Sequence, residues 1–193
     1  LSRLRAGLTD DARTVFNLSE EVYMVAGRFD YLSEVGHYKI DTKVEDDIYT
    51  NASKERIEQV LYNLIGNAFN YTGADKRVRV KLFRKEECAR FEVIDSGKGI
   101  PPEEIETIWD RYYRSNKTHK RPVKGTGLGL SIVKGILVAQ DCPFGGVSDA
   151  GKGSCFWVEF PLVKDDIFEK DEGSDRNMER KRTRKKRKGE RHE

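Results

Sequence analysis

The sequence predicts an α/β two-layer sandwich, a mixed, mainly antiparallel five-stranded sheet covered on one face by three helices. Three observations carry that expectation. Apolar side chains recur at helical spacing over 17–34, 51–71 and 128–139. Five other runs read as strands, at 37–44, 77–85, 89–95, 144–148 and 155–162. Two pairs of these runs are joined by short turn segments, Lys85-Glu-Glu and Asp149-Ala-Gly-Lys-Gly153, as neighbours in an antiparallel sheet would be.

Each element has its own signal. Leu1–Gly7 reads as the last turn of a helix closed by glycine. Asn17 or Ser19 caps a helix running to about Glu34, with Val22, Val25, Ala26, Phe29 and Leu32 as its apolar stripe. From His37 to Val44 the chain alternates, with Tyr38, Ile40 and Thr42 on one face, and His37 counts as a strand residue. A short strand follows at 48–50. Asn51 or Ser53 opens the second helix, which buries Ile57, Val60, Leu61, Leu64, Ile65 and Ala68. Pro101 and Pro102 start a short helix from Glu103 to about Trp109. Residues 110–126 are polar and basic without periodicity, which predicts a long loop.

Composition bounds the rest. A chain of 193 residues has room for one ordinary domain and a tail. No run approaches the ~20 apolar residues of a membrane span, and no charged-then-apolar signal segment opens the chain. Because it begins with Leu1, it is expected to be a piece of a longer protein. Cys88, Cys142 and Cys155 lack metal-ligand spacing and read as reduced thiols of a cytosolic protein. The net charge of +3 hides a split, since residues 1–163 hold 24 basic and 24 acidic side chains. Residues 176–193 hold 10 basic and 3 acidic ones, concentrated in Arg180-Lys-Arg-Thr-Arg-Lys-Lys-Arg-Lys188. Such a block is either a solvated, disordered tail or an attractor for anionic lipid or nucleic acid, and the first is the expectation.

Three motifs stand in order. The first is Asn63-Leu-Ile-Gly-Asn67-Ala-Phe-Asn70-Tyr71, where residues 63, 67 and 70 lie at i, i+4 and i+7 of a helix. Asparagine is a poor helix former, so three amides on one side ask for a reason. Neutral amide oxygens are hard ligands that do not repel a triphosphate, and Mg²⁺ takes only one or two ligands from protein beside phosphates and water. The second is Asp95-Ser-Gly97-Lys-Gly99-Ile100, closing the apolar strand Phe91-Glu-Val-Ile-Asp. A carboxylate there accepts a hydrogen bond from an adenine amino group, where guanine would present an acceptor. Gly97 and Gly99 let the backbone turn tightly beside the base. The third, Gly125-Thr126-Gly127-Leu128-Gly129, opens a helix whose free N–H groups suit phosphates. Its spacing is neither that of a dinucleotide-binding turn nor that of a Walker A loop.

In this order the motifs resemble the N, G1 and G2 boxes of the Bergerat fold shared by DNA gyrase, heat-shock chaperones, histidine kinases and MutL. The resemblance covers roughly residues 16–162 and points to the catalytic ATP-binding domain of a bacterial two-component sensor histidine kinase. It implies ATP and Mg²⁺, with Asn67 as the metal ligand, Asn63 on the phosphate side and Tyr71 lining the adenine pocket. Asn70 stands where many relatives carry a basic residue, and its role stays open. Ile108-Trp-Asp-Arg-Tyr-Tyr-Arg114 resembles the family's F box, with Tyr113 or Arg114 as a nucleotide contact. The basic stretch after it holds Lys117, His119, Lys120, Arg121 and Lys124, of which Arg121 and Lys124 are the expected phosphate contacts. Hydrolytic relatives carry Glu four residues before the metal-binding Asn, to activate water. Asn63 in that place argues for phosphoryl transfer instead.

His37, His119 and His192 all lack a phosphoacceptor context, so the acceptor histidine is expected on a separate dimerisation hairpin. The expected organisation is then 1–15 as the end of that hairpin and its linker, 16–163 as the catalytic domain and 164–193 as a charged tail. The expected partners are the hairpin and a downstream response regulator. Nucleic acid is not an expected partner, and the membrane is expected only through segments outside this sequence. The isolated chain is expected to be a cytoplasmic monomer, cut from a parent anchored in the bacterial inner membrane. Two alternatives remain: an ATP-hydrolysing conformational module of the gyrase or MutL kind, and a nucleotide-binding interaction module without catalysis.

Overall fold

The computed structural model describes residues 12–110 and 128–163. The expected architecture is present. Five strands, β2 (Lys39–Val44), β4 (Arg77–Lys85), β5 (Cys88–Asp95), β6 (Phe144–Asp149) and β7 (Gly153–Pro161), form one sheet in the order β2-β4-β5-β7-β6. β2 runs parallel to β4, and the other neighbours are antiparallel. Its helical layer is built from α1 (Leu18–Gly27), α3 (Lys54–Tyr71) and α4 (Gly129–Ala139). A fourth, short helix α2 (Asp30–Gly36) buries no residue.

The period-2 register sorts the sheet into two chemistries. Across β4, β5 and β7, Val80, Val93 and Phe156 align on the helix side, as do Leu82, Phe91 and Val158, and all six are buried. The row beyond them reads Val78, Asp95, Ser154. On the other face Arg90 stacks on Trp157 at 4.0 Å from the ring centre. Its guanidinium also pairs with Glu159 at 2.7 Å and Glu92 at 3.2 Å. The six apolar residues predicted for α3 are all buried beneath this sheet. Each large one is worth about 1.5–3 kcal/mol of burial free energy.

Four local expectations are corrected. The first helix breaks at Arg28 and Phe29, whose N–H groups reach back only three residues, to Val25 and Ala26. Gly27 weakens the helix there, and the break lets Phe29 pack on Tyr62 and Phe69 of α3 at 5.1 and 5.0 Å between ring centres. Leu32, placed on the buried stripe by the unbroken period, is therefore half exposed. His37 is not a strand residue: it closes α2 in the left-handed conformation, with φ 55°. The expected helix from Glu103 to Trp109 is two separate 3₁₀ turns, Pro102–Glu104 and Thr107–Trp109. The tight turns place Ile108 and Trp109 in the core, where Trp109 packs edge-on against Phe144 and Phe156.

One element had no forecast. β1 (Thr14–Asn17) pairs antiparallel with β3 (Tyr49–Ala52) in a separate two-stranded sheet. It delivers Asn17 as the cap of α1, where the side-chain oxygen accepts the Glu20 N–H at 3.1 Å.

Candidate functional site

Asp95 is a carboxylate at a core position. Alternation along β5 buries Ala89, Phe91, Val93 and then Asp95, which is 5% exposed. A charge there costs desolvation, and burial raises the pKa of the Asp95 carboxyl above the usual range. Hydrogen bonds oppose the rise: the Gly97 N–H donates to Oδ1 at 2.8 Å, and Ser154 contributes its backbone N–H and its hydroxyl. These bonds orient the carboxylate at the mouth of the sheet.

The turn that follows is shaped by exclusion. A Cβ on Gly97 would lie 2.1 Å from the Tyr71 carbonyl oxygen and 2.7 Å from Asp95 Oδ1, so only glycine lets the end of α3 approach. Gly99 has φ +73°, where side chains are strained. The Lys98 carbonyl accepts the Gly151 N–H at 2.7 Å, and the Ile100 N–H donates to Ser148 Oγ at 2.7 Å. The turn is thereby tied to the β6–β7 hairpin, and Ile100 packs on the core.

The second half of the site lies between two helices. α3 presents Asn63 and Asn67 to the start of α4: from a Cβ built on Gly129, Asn63 Oδ1 would be 3.3 Å away and Asn67 Oδ1 3.8 Å. Asn63 Nδ2 donates to the Gln59 carbonyl one turn back at 2.8 Å, which leaves its oxygen toward α4. No hydrogen bond joins the Asn67 amide to another described residue. At the start of α4, Leu128 is the capping position, and no side chain among the described residues caps it. The first N–H groups of a helix point outward and suit an anion. Asn70 and Tyr71, on the last turn of α3, are exposed, and it is the Tyr71 carbonyl that meets Gly97.

Of the residues singled out in the sequence, Asn63, Asn67, Leu128 and Gly129 gather at one end and Asp95, Gly97, Gly99 and Ile100 at the other. Tyr113, Arg114, Arg121, Lys124, Gly125, Thr126 and Gly127 lie outside the described residues, as do Lys117, His119 and Lys120. The structure adds Ser148 and Ser154, which pair at 3.1 Å and support Asp95 and Ile100. Their role depends on strand register, and no sequence motif flags it.

The donor set fits a magnesium nucleotide. A buried, oriented carboxylate suits a base amino group, and an uncapped helix start with neutral amides suits phosphate and a hard cation. Among the described residues no group of three or more His, Cys, Asp or Glu could hold a metal unaided. Asn67 Oδ1 is a neutral, hard oxygen of the kind that can join phosphate oxygens and water around Mg²⁺.

A family described as histidine kinase-, DNA gyrase B-, and HSP90-like ATPase matches residues 52–164. The sensor histidine kinase RppB of Synechocystis sp. is 32% identical over 163 residues, which cover 84% of this chain and 36% of RppB. The chain spans no more than about a third of the length of the curated relatives it matches. Among solved structures, the catalytic domain of histidine kinase ThkA superposes with a TM-score of 0.68 at 28% identity, covering 77% of this chain and 95% of that one. ThkA has also been crystallised in complex with the response regulator TrrA, a structure that matches with a TM-score of 0.66 at 25% identity, over 78% of this chain and 42% of that one. Full-length ShkA in complex with AMPPNP gives 0.70 at 25% identity, over 84% of this chain and 34% of that one.

Proposed function

We propose, since this chain belongs to the histidine kinase-, DNA gyrase B- and HSP90-like ATPase family and within it to the catalytic domains of sensor histidine kinases, that it binds Mg-ATP and delivers the γ-phosphate to a histidine on a separate dimerisation domain. The observation that carries this reading is the two-ended site: a buried Asp95 at a strand end, and Asn63 and Asn67 against the uncapped start of α4.

Each end has a chemical task. At the base end, Asp95 accepts from the adenine amino group, and the Gly97 turn lets the base lie against backbone. At the phosphate end, the α4 N–H groups and the Asn63 oxygen would hold the polyphosphate. Mg²⁺, when bound through Asn67, supplies neutralisation of phosphate charge. In-line transfer needs positioning and electrostatic stabilisation more than covalent help from protein. Asn63 is neutral and already bonded to Gln59. Unlike a carboxylate, it cannot take a proton from water, so it favours transfer to an outside acceptor over hydrolysis.

The parent's partners follow from the same reading. The acceptor hairpin supplies the histidine, and a response regulator receives the phosphoryl group, in keeping with the ThkA complex. Among the described residues no helix is long and apolar enough to cross a membrane. ATP is a cytoplasmic substrate, so we place the domain in the cytoplasm, below an anchor supplied by the parent.

The test is calorimetric titration of the chain with Mg-ATP while phosphate release is followed. Binding that is lost in Asp95→Asn, with little phosphate released by the native chain, supports the kinase reading. Brisk release by the chain alone would instead support an ATPase.

A further inference from the structure

The two ends of the site belong to different elements, β5 and α3, and something must fix their separation. The side chain between Asp95 and Gly97 does not enter the site. Ser96 Oγ donates instead to Asp75 Oδ1, in the loop between α3 and β4. It also lies 2.9 Å from the hydroxyl of Thr72, the residue that closes α3. Thr72 Oγ1 in turn donates to the carbonyl of Arg77, the first residue of β4, at 2.7 Å. With Ser96 donating to the carboxylate, Thr72 shares its hydrogen between the Ser96 oxygen and the Arg77 carbonyl. Asp75 further accepts the Arg77 N–H at 3.4 Å.

The cluster joins the end of α3, the start of β4 and the Asp95–Gly97 turn. Backbone packing runs alongside it, since a Cβ on Gly73 would lie 2.5 Å from the Ser96 carbonyl oxygen. The hydrogen bond from Ser96 also lowers the pKa of the Asp75 carboxyl, which keeps it an acceptor at neutral pH. Asp75 is exposed and lies four residues beyond Tyr71, outside the three motifs.

We propose that Thr72, Ser96 and Asp75 form a positioning latch, which sets the distance between the base-reading carboxylate on β5 and the phosphate-side amides on α3. The latch touches no nucleotide. Its effect is that one molecule can satisfy Asp95 and Asn67 at once, and the proposal rests on the Mg-ATP reading above. Positioning of this kind matters because errors near 1 Å at a reacting group are costly.

The experiment compares Mg-ATP, which spans both ends, with adenosine, which uses only one, by titrating the full chain and following thermal unfolding in parallel. Ser96→Ala and Asp75→Ala are expected to weaken Mg-ATP about tenfold, the weight of one hydrogen bond, and adenosine less than twofold. Ser96→Thr keeps the hydroxyl and restores Mg-ATP binding. Combined with Asn67→Ala, Ser96→Ala costs less than the sum of the two, because a misplaced amide has less to lose. An equal loss for both ligands, or additivity with Asn67→Ala, would reduce the cluster to an ordinary fold contact. If Ser96→Ala does not fold, Asp75→Ala carries the test, since Asp75 is exposed. Equal loss or additivity overturns the latch alone, whereas a native chain that binds neither ligand, or gains nothing from phosphates, overturns the functional reading with it.

Discussion

The base end and the phosphate end of the site are built by opposite means. At the base end, a strand, a glycine turn and a hairpin converge: the Gly97 N–H and the backbone N–H and hydroxyl of Ser154 hold the carboxylate, and the Tyr71 carbonyl packs against Gly97. At the phosphate end, two helices meet through side-chain amides, and Asn67 makes no hydrogen bond to another described residue. The base end is pre-organised, so its selectivity is paid for at folding. The phosphate end keeps unspent hydrogen-bonding capacity for its ligand. Backbone neighbours cannot move aside, whereas amides can turn. The two ends should therefore respond very differently to the same small perturbation.

Adding one methyl group to each end breaks the comparison most forcefully. In Gly97→Ala the new Cβ meets the Tyr71 carbonyl oxygen at 2.1 Å, and backbone must shift. We expect a loss of about 1–3 kcal/mol of stability and Mg-ATP affinity reduced at least a hundredfold. In Gly129→Ala the nearest atom is Asn63 Oδ1 at 3.3 Å, the end of a side chain that can give a few tenths of an ångström. Alanine also favours a helix over glycine by up to about 1 kcal/mol. Stability is expected to hold or rise, with Mg-ATP affinity down less than tenfold. Denaturant unfolding and calorimetry on the two variants measure both. Equal losses would mean that the phosphate end is as rigid as the base end.

The contrast also bears on what sequence can reveal. Asp95 was legible because a charge in a period-2 apolar strand is out of place, and burial confirms the anomaly. Ile57, Val60, Leu61, Leu64, Ile65 and Ala68 were legible because helical period and burial coincide. Leu32 was misread because period alone cannot see the break at Arg28 and Phe29, which exists to seat Phe29 on α3. β1 escaped notice because four residues carry little pattern and its partner is more than thirty positions away. Ser96 bonds to Asp75, and Ser154 supports Asp95, only through tertiary register, so neither role leaves a local mark.

Asp95→Asn sharpens the base end through pH. Burial raises the folded-state pKa of the Asp95 carboxyl above its unfolded value. Its contribution to stability is then fully present below the ordinary carboxylate pKa of about 4, and it is lost as pH rises through the raised value. At neutral pH the native chain carries the cost of a buried charge, which Asn avoids while still accepting the Gly97 N–H. Without nucleotide, Asp95→Asn should melt higher than the native chain at pH 7, and the gap should close as pH falls. Thermal unfolding between pH 4 and pH 8 tests this. A variant less stable than native at pH 7 would show that the hydrogen bonds to the carboxylate outweigh its desolvation.

At the phosphate end, Asn67→Ala removes the proposed metal ligand without leaving a buried group unpaired. We expect no change in melting temperature beyond about 1 kcal/mol of stability. Mg-ATP should bind about tenfold weaker, with the magnesium dependence of binding flattened. Titrations with and without Mg²⁺ separate the two effects, and an undiminished magnesium dependence would assign the metal to another ligand.

The smallest effect is expected at Asn70, where the two ends adjoin. It is exposed on the last turn of α3. A cation near a helix C-terminus is favourable by about 0.3–1 kcal/mol, so Asn70→Lys should melt slightly higher. If position 70 faces the phosphates, the same substitution should tighten Mg-ATP a few-fold, leave adenosine unchanged, and lose its advantage as salt is raised past a Debye length of about 8 Å. The ratio of the two affinities across a salt series is therefore the informative quantity. A rise in stability with no rise in that ratio would place residue 70 outside the reach of the phosphates. The phosphate end would then rest on Asn63, Asn67 and the start of α4 among the described residues.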